Sequence, residues 1–124
     1  MLNSENTMFE IINLDYLNSI LEDDAETKET MLTMLLVEIP DEIKKINDAH
    51  LSNDITTLKN AAHKLKSTLA FIGNKKLIET NIAIEQIAKS NDGLEQLPHL
   101  IKIMNDLEPQ VIREVKLAVD AMQK

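Results

Sequence analysis

Residues 61–74 read AAHKLKSTLAFIGN and set one histidine, His63, among lysines, alanines and hydroxyl side chains in a chain that is otherwise acidic. An imidazole is a competent nucleophile near neutral pH, because its unperturbed pKa lies at ~6.5. Lysine ammonium groups neutralise the oxygens of an anion as point charges, and serine and threonine hydroxyls donate to them. Between residues 53 and 76 the charges are Lys59, Lys64, Lys66, Lys75 and Lys76 against Asp54 alone, a local +4; with a net charge of −8 overall, the rest of the chain carries −12. An exposed imidazole in such a surface suits acceptance of a phosphoryl group. The same composition also describes a solvated, lysine-rich helix face whose histidine does no chemistry, and spacing alone leaves both readings open.

The orientation of His63 follows from the helix that must carry it. Ile55, Leu58, Ala62, Leu65, Leu69 and Ile72 alternate in steps of three and four, a helical stripe. At 100° per residue the stripe covers about 80° of arc, and His63 falls about 135° from its middle. It therefore faces out of the core, with Thr56, Lys59, Asn60, Lys66, Ser67 and Ala70 as surface neighbours. None is acidic, and none is large and apolar. Gly73 can take the left-handed conformation that ends a helix, and Asn74 can start the next.

The following helix, about residues 74–90, adds a second feature. Leu77, Ile78, Ile82, Ile84 and Ala88 define its apolar arc, and Asn81 and Glu85 fall inside that arc, whereas Glu79 and Gln86 lie opposite. A carboxylate on the packed side of a helix needs a partner, since burying it unpaired costs several kcal/mol. In an antiparallel bundle the neighbouring third helix offers His63 or Lys66. A glutamate at the helix boundary that reaches water fits the pattern equally.

The remaining elements are helical too. Leu14, Leu17 and Leu21 suggest a short first helix capped by Asn13, with EDDAET as a charged connection. A second helix over about 25–50 carries Leu32, Leu36, Ile39, Ile43 and Ile46, and Pro40 within it predicts a kink. Ser52 or Asn53 can cap the third helix. A fifth helix over about 95–122 carries Leu100, Met104, Leu107, Val111, Val115, Ala118 and Met122; Pro98 suits its first turn and Pro109 should bend or break it. No segment alternates with the period of a strand. The expected fold is all-α, an antiparallel up-down four-helix bundle with a short extra N-terminal helix: a flexible segment over 1–11, then one domain over 12–124.

Composition narrows the function. The chain has 124 residues, enough for one domain with a real core, and 44% hydrophobic against 27% charged residues argues against disorder. Aromatic residues are limited to Phe9, Tyr16 and Phe71, which offers little for base stacking, and the acidic net charge repels nucleic acid and anionic lipid. There is no cysteine, which excludes disulfides, zinc-thiolate sites and thiol nucleophiles. No apolar run approaches the ~20 residues of a membrane span, and the N-terminus lacks the pattern of a signal peptide, so the expectation is a cytoplasmic monomer. His50 and His99 sit at helix ends as surface or capping residues. No Glu-x-x-His pair of a di-iron bundle occurs. Gly73 and Gly93 stand alone, so no phosphate-binding loop for ATP is present and no kinase activity is expected. Met31, Met34, Met104 and Met122 lie on or near stripes and are expected to fill the core.

The segment AHKLKSTLAFIG resembles the signature of histidine-containing phosphotransfer (HPt) domains, His-x-x-Lys-Gly-Ser followed by a small-apolar stretch and Ile/Leu-Gly. His63, Leu65, Lys66, Thr68 in place of serine, Ile72 and Gly73 match in place; Ala61-Ala62 and Pro40 are also similar to the family pattern. Ser67 stands where the family usually has glycine, which implies reduced clearance for a partner. The resemblance covers about residues 12–122, with specificity confined to 61–73. It implies a phosphorelay protein whose His63 accepts a phosphoryl group and exchanges it with aspartates of response-regulator receiver domains, with a hybrid histidine kinase as a further partner. It places Glu85 where many family members hydrogen-bond the imidazole. Lys66, aided by Lys59, Lys64 and Ser67, would balance the phosphoryl charge. No cofactor belongs to the chain itself; a divalent metal would sit in the receiver's acidic pocket. Two alternatives remain at this level: a non-catalytic helical interaction module, and an acceptor domain phosphorylated directly by a separate kinase's ATP-binding domain.

Overall fold

The computed structural model describes residues 9–123, so most of the expected flexible segment, residues 1–8, lies outside the described residues. The described elements are α1 (Asp15–Leu21), α2 (Ala25–Leu51), α3 (Ile55–Ala70), α4 (Lys75–Ser90) and α5 (Leu97–Met122), with a 3-10 turn over Leu94–Gln96 leading into α5. In space α2 packs on α3 and α5, α3 on α4, and α4 on α5, a closed ring of four. Links this short force each helix to reverse the direction of the last. The result is the antiparallel four-helix bundle read from the apolar spacing, with α1 against α2.

The stripes converge as their periods require. Leu32, Ile39, Ile43 and Ile46 of α2, Leu58, Leu65 and Leu69 of α3, Leu77 and Ile84 of α4, and Met104, Val111 and Val115 of α5 are fully buried. Each such aliphatic side chain contributes ~1.5–3 kcal/mol by leaving water. Some registers differ from the sequence reading by one position. Leu35, not Leu36, is the buried rung of α2, Ile101 replaces Leu100 in α5, and Ile82 of α4 is well exposed. Met34 is half exposed and is not core filler, whereas Met104 is.

Capping follows a repeated pattern. Asp24 accepts from the Thr27 N–H at 3.0 Å and its hydroxyl at 2.6 Å; Asp54 accepts from Thr57 at 3.1 and 2.7 Å. These hydrogen bonds hold both carboxyls below their ordinary value. Asp54 is therefore the cap of α3, and Ser52 and Asn53 are spent in ending α2. The Ser52 hydroxyl donates back to the Asp48 carbonyl at 3.0 Å, and Asn53 turns the chain with a φ of 56°. Asn74 caps α4 through the Leu77 N–H at 2.7 Å, as its type and place suggest. Neither Pro40 nor Pro109 interrupts its helix. A proline deletes one donor and crowds one carbonyl, and the packed residues on either side outweigh that local cost.

Residues upstream of α1 also pack on the bundle. Phe9 and Ile12 are buried, and the Glu114 carboxylate of α5 accepts from the N–H groups of Glu10 at 3.1 Å, Ile11 at 2.8 Å and Ile12 at 3.0 Å. Asn74 Nδ2 donates to the Ile11 carbonyl, and the Asn13 N–H donates to Ile72. This strap crosses the α3–α4 turn so closely that a Cβ at Gly73, where φ is +70°, would collide with the Asn13 carbonyl. Tyr16 of α1 stacks on Phe71 with ring centroids 6.0 Å apart, which ties α1 to the same end.

Candidate functional site

The pairing of α3 with α4 brings His63 level with Glu85. Imidazole Nδ1 lies 2.7 Å from Glu85 Oε2, and Lys66 Nζ lies 3.6 Å from Glu85 Oε1. His63 and Lys66 are three residues apart on one face of α3, so a single carboxylate reaches both. The sequence offered them as alternative partners; the structure uses the two together. The His63 side chain is 70% exposed and that of Glu85 only 9%. The nucleophile candidate thus projects into solvent from a carboxylate embedded in the bundle.

Burial pushes the Glu85 carboxyl up, but the hydrogen bond with His63 and the positive charge of Lys66 outweigh it and hold the group below its ordinary value. An ionised carboxylate only accepts, so Nδ1 carries the ring proton. In the neutral ring this leaves Nε2, on the other edge, with its lone pair. The site lies in a cleft of about 250 Å³ lined by Lys59, Asn60, His63, Glu85 and Lys89. Three lysines, Lys59, Lys66 and Lys89, thus surround one imidazole and one carboxylate. Lys89 escaped the sequence reading, although its place four residues after Glu85 puts it on the same face of α4. Ser67 is exposed on α3 one turn beyond His63.

Lys64 is not part of this cleft. Its ammonium group lies 3.1 Å from Oε1 of Glu42 on α2, which Lys45 also approaches at 3.5 Å. One residue along a helix is a rotation of about 100°, enough to turn Lys64 to the α2–α3 groove while His63 faces α4. Glu42 is only 2% exposed and demands a cation. Sequence reasoning missed both Glu42 and Glu114, and the signal was present: each stands at core spacing, three residues after Ile39 and Val111 respectively. Asn81 is completely buried, and its Nδ2 donates to the Ala62 carbonyl at 2.8 Å. His50 closes α2 and His99 opens α5. Among the described residues no group of three or more His, Asp or Glu side chains is placed to hold a metal.

A four-helix bundle that presents an exposed histidine on a buried carboxylate suits a phosphoryl carrier, and comparison with known proteins gives the class. Residues 30–124 match the Hpt domain family, and the chain belongs to it: it is a histidine phosphotransfer domain of two-component phosphorelays. Over 99 residues it is 27% identical to the phosphorelay protein LuxU of Vibrio vulnificus, spanning 79% of this chain and 86% of that one. The HPt domain of a Shewanella sensor hybrid histidine kinase superposes with a TM-score of 0.76 at 25% identity, covering 89% of this chain and 94% of that one. Histidine-containing phosphotransfer protein B of Pseudomonas aeruginosa PAO1 shares the fold at the same TM-score of 0.76 and 19% identity, over 89% and 95% of the two chains. Among the described residues no helix is long and apolar enough to cross a membrane.

Proposed function

We propose that His63 is the phosphoryl carrier and that it exchanges the group with aspartates of response-regulator receiver domains. The observation that carries this reading is a solvent-exposed imidazole whose Nδ1 lies 2.7 Å from a buried carboxylate, leaving Nε2 to react. In the forward step the Nε2 lone pair forms a bond to the phosphorus of a receiver's aspartyl phosphate. The bond from phosphorus to the aspartyl oxygen breaks, and its electron pair leaves with the aspartate. The ring then carries the phosphoryl group on Nε2 and a proton on Nδ1, with a formal positive charge that Glu85 balances. Transfer onward is the reverse of this step on a second receiver. Lys66, one turn away, interacts most strongly with the charge on the phosphoryl oxygens in flight, and Lys59 and Lys89 extend the same field.

The divalent metal of the reaction belongs to the receiver's acidic pocket. The chain acts as a carrier without its own ATP site, as a monomer in the cytoplasm, with response-regulator receiver domains as its partners and a hybrid histidine kinase as a further one. His63→Gln tests the assignment: it should abolish uptake of label from a phosphorylated receiver while helical content and melting stay at wild-type values. The wild-type label should be acid-labile and alkali-stable, as a phosphoramidate is. Normal uptake by His63→Gln would sink the assignment, and label arriving only from an ATP-binding kinase domain would make this an acceptor domain and not a shuttle.

A further inference from the structure

We infer that Asn81 is a positioning residue that fixes the height of His63 against Glu85 by tethering the peptide group beneath the imidazole. The inference rests on His63 as the phosphoryl carrier. Asn81 is fully buried, and its Nδ2 donates across the helix pair to the carbonyl of Ala62 at 2.8 Å, the carbonyl that enters the Ala62–His63 peptide bond. That carbonyl lies inside α3 and already belongs to the helical ladder, where the amide four residues on, that of Lys66, serves it. The bond from Asn81 therefore rescues no orphan acceptor.

The other half of the same side chain makes the case stronger. Asn81 Oδ1 is buried and has no hydrogen-bond partner among the described residues. A buried amide oxygen without a donor opposes folding, and a leucine of similar size beside Leu77 and Ile84 would suit this part of the core better. A residue that costs stability where an apolar one would serve calls for a reason outside stability. Geometry supplies it. Asn81 and Glu85 stand four residues apart on one face of α4, and both grip the same residue region of α3: Asn81 by the main chain, Glu85 by the ring. Two attachments one turn apart oppose both sliding of α3 along α4 and rotation of its face. A slip of one residue's rise, ~1.5 Å, is more than half the length of the 2.7 Å contact and would lengthen and misalign the bond between the ring nitrogen and the carboxylate. The ring would then be held less firmly in one tautomer, and the placement of Nε2 would loosen with it.

The test compares Asn81→Leu, Asn81→Ala and, as a control across the bundle from α3, Val115→Ala. Three quantities are read: melting temperature, single-turnover transfer from a phosphorylated receiver, and the ring tautomer of His63 by nitrogen-15 NMR. Asn81→Leu should melt at or above the wild-type temperature while transfer slows by about fivefold or more, since a small misplacement of a reacting group is costly. Its His63 should show a reduced share of the Nδ1–H form. Asn81→Ala should lose stability and show the same tautomer change, which covers the case in which the leucine variant does not fold. Val115→Ala should lose stability with tautomer and rate unchanged below its melting range. Wild-type tautomer and rate in a folded Asn81 variant, or an equal tautomer change in Val115→Ala, overturns the inference. Failure of the carrier assignment looks different, because wild type itself would then take no label on His63.

Discussion

Glu85 and Glu114 are both carboxylates buried on the packed side of a helix, and they are spent in opposite ways. Glu114 gives its oxygens to three backbone N–H groups of the strap over residues 10–12, donors that have no second position to occupy. Glu85 gives its oxygens to two side chains that are themselves largely exposed, the His63 imidazole and the Lys66 ammonium group. The first arrangement holds the chain in place. The second holds a ring in place while leaving its other edge free to react. Burial alone therefore does not distinguish the two acids; what differs is that Glu114 is spent on backbone and Glu85 on an exposed imidazole.

The largest effect should come from removing the structural member. Glu114→Ala strands three donors, one of them buried, and should cost about 3–5 kcal/mol of stability, read as a lower urea midpoint. The rate of phosphoryl transfer by the fraction that stays folded should be unchanged. A transfer defect at full folding would break the contrast.

Removing the functional member should do the reverse. Glu85→Ala should slow transfer by roughly 30- to 150-fold, about 2–3 kcal/mol of transition-state stabilisation, with Glu85→Gln intermediate because it keeps an acceptor without the charge. The pH dependence sharpens the point. Burial opposes ionisation of Glu85, but His63 and Lys66 prevail and the folded carboxyl lies below its ordinary value. A group depressed on folding contributes stability that is fully present above its unfolded value of ~4.3 and is lost as pH falls through the lower folded one. Between about pH 5 and pH 3, Glu85→Gln should therefore lose less stability than wild type does, measured as the urea midpoint against pH.

The smallest effect separates two lysines two residues apart. Lys66→Ala should slow transfer by roughly 5- to 30-fold, about 1–2 kcal/mol, with little change in receiver affinity. Lys64→Ala should leave single-turnover rates alone and lower stability by about 1 kcal/mol, because its ammonium group serves buried Glu42. Equal kinetic effects from both would mean that a diffuse positive field, and not the position of Lys66, assists the transfer.

Much of this arrangement was legible one residue at a time. The outward orientation of His63, the cap at Asn74 and the turn at Gly73 follow from helical period or residue type, whereas for Glu85 the period gave the packed side of α4 and left open whether the carboxylate meets a partner or water. The misreadings share a cause. Ser52 and Asn53 are good capping types, but Asp54 with Thr57 three residues on is a two-bond cap, and the competition was settled by how α2 ends. Pro109 does not break α5, because the packing on either side carries the helix through it. Lys64 reads as one more cation beside His63 until the acid on α2 that claims it is in view.

The sequence by itself determined the helices, their apolar faces and the exposed histidine, because these depend on the 3.6-residue period and on side-chain chemistry within one turn. Only the tertiary structure decided which carboxylate met which donor. Glu85 reaches His63 across 22 positions and Glu114 reaches Ile12 across 102. No local pattern spans such separations. They are fixed by the order in which four helices pack, and that packing is set by the burial of apolar surface, which has no direction of its own until the whole bundle closes.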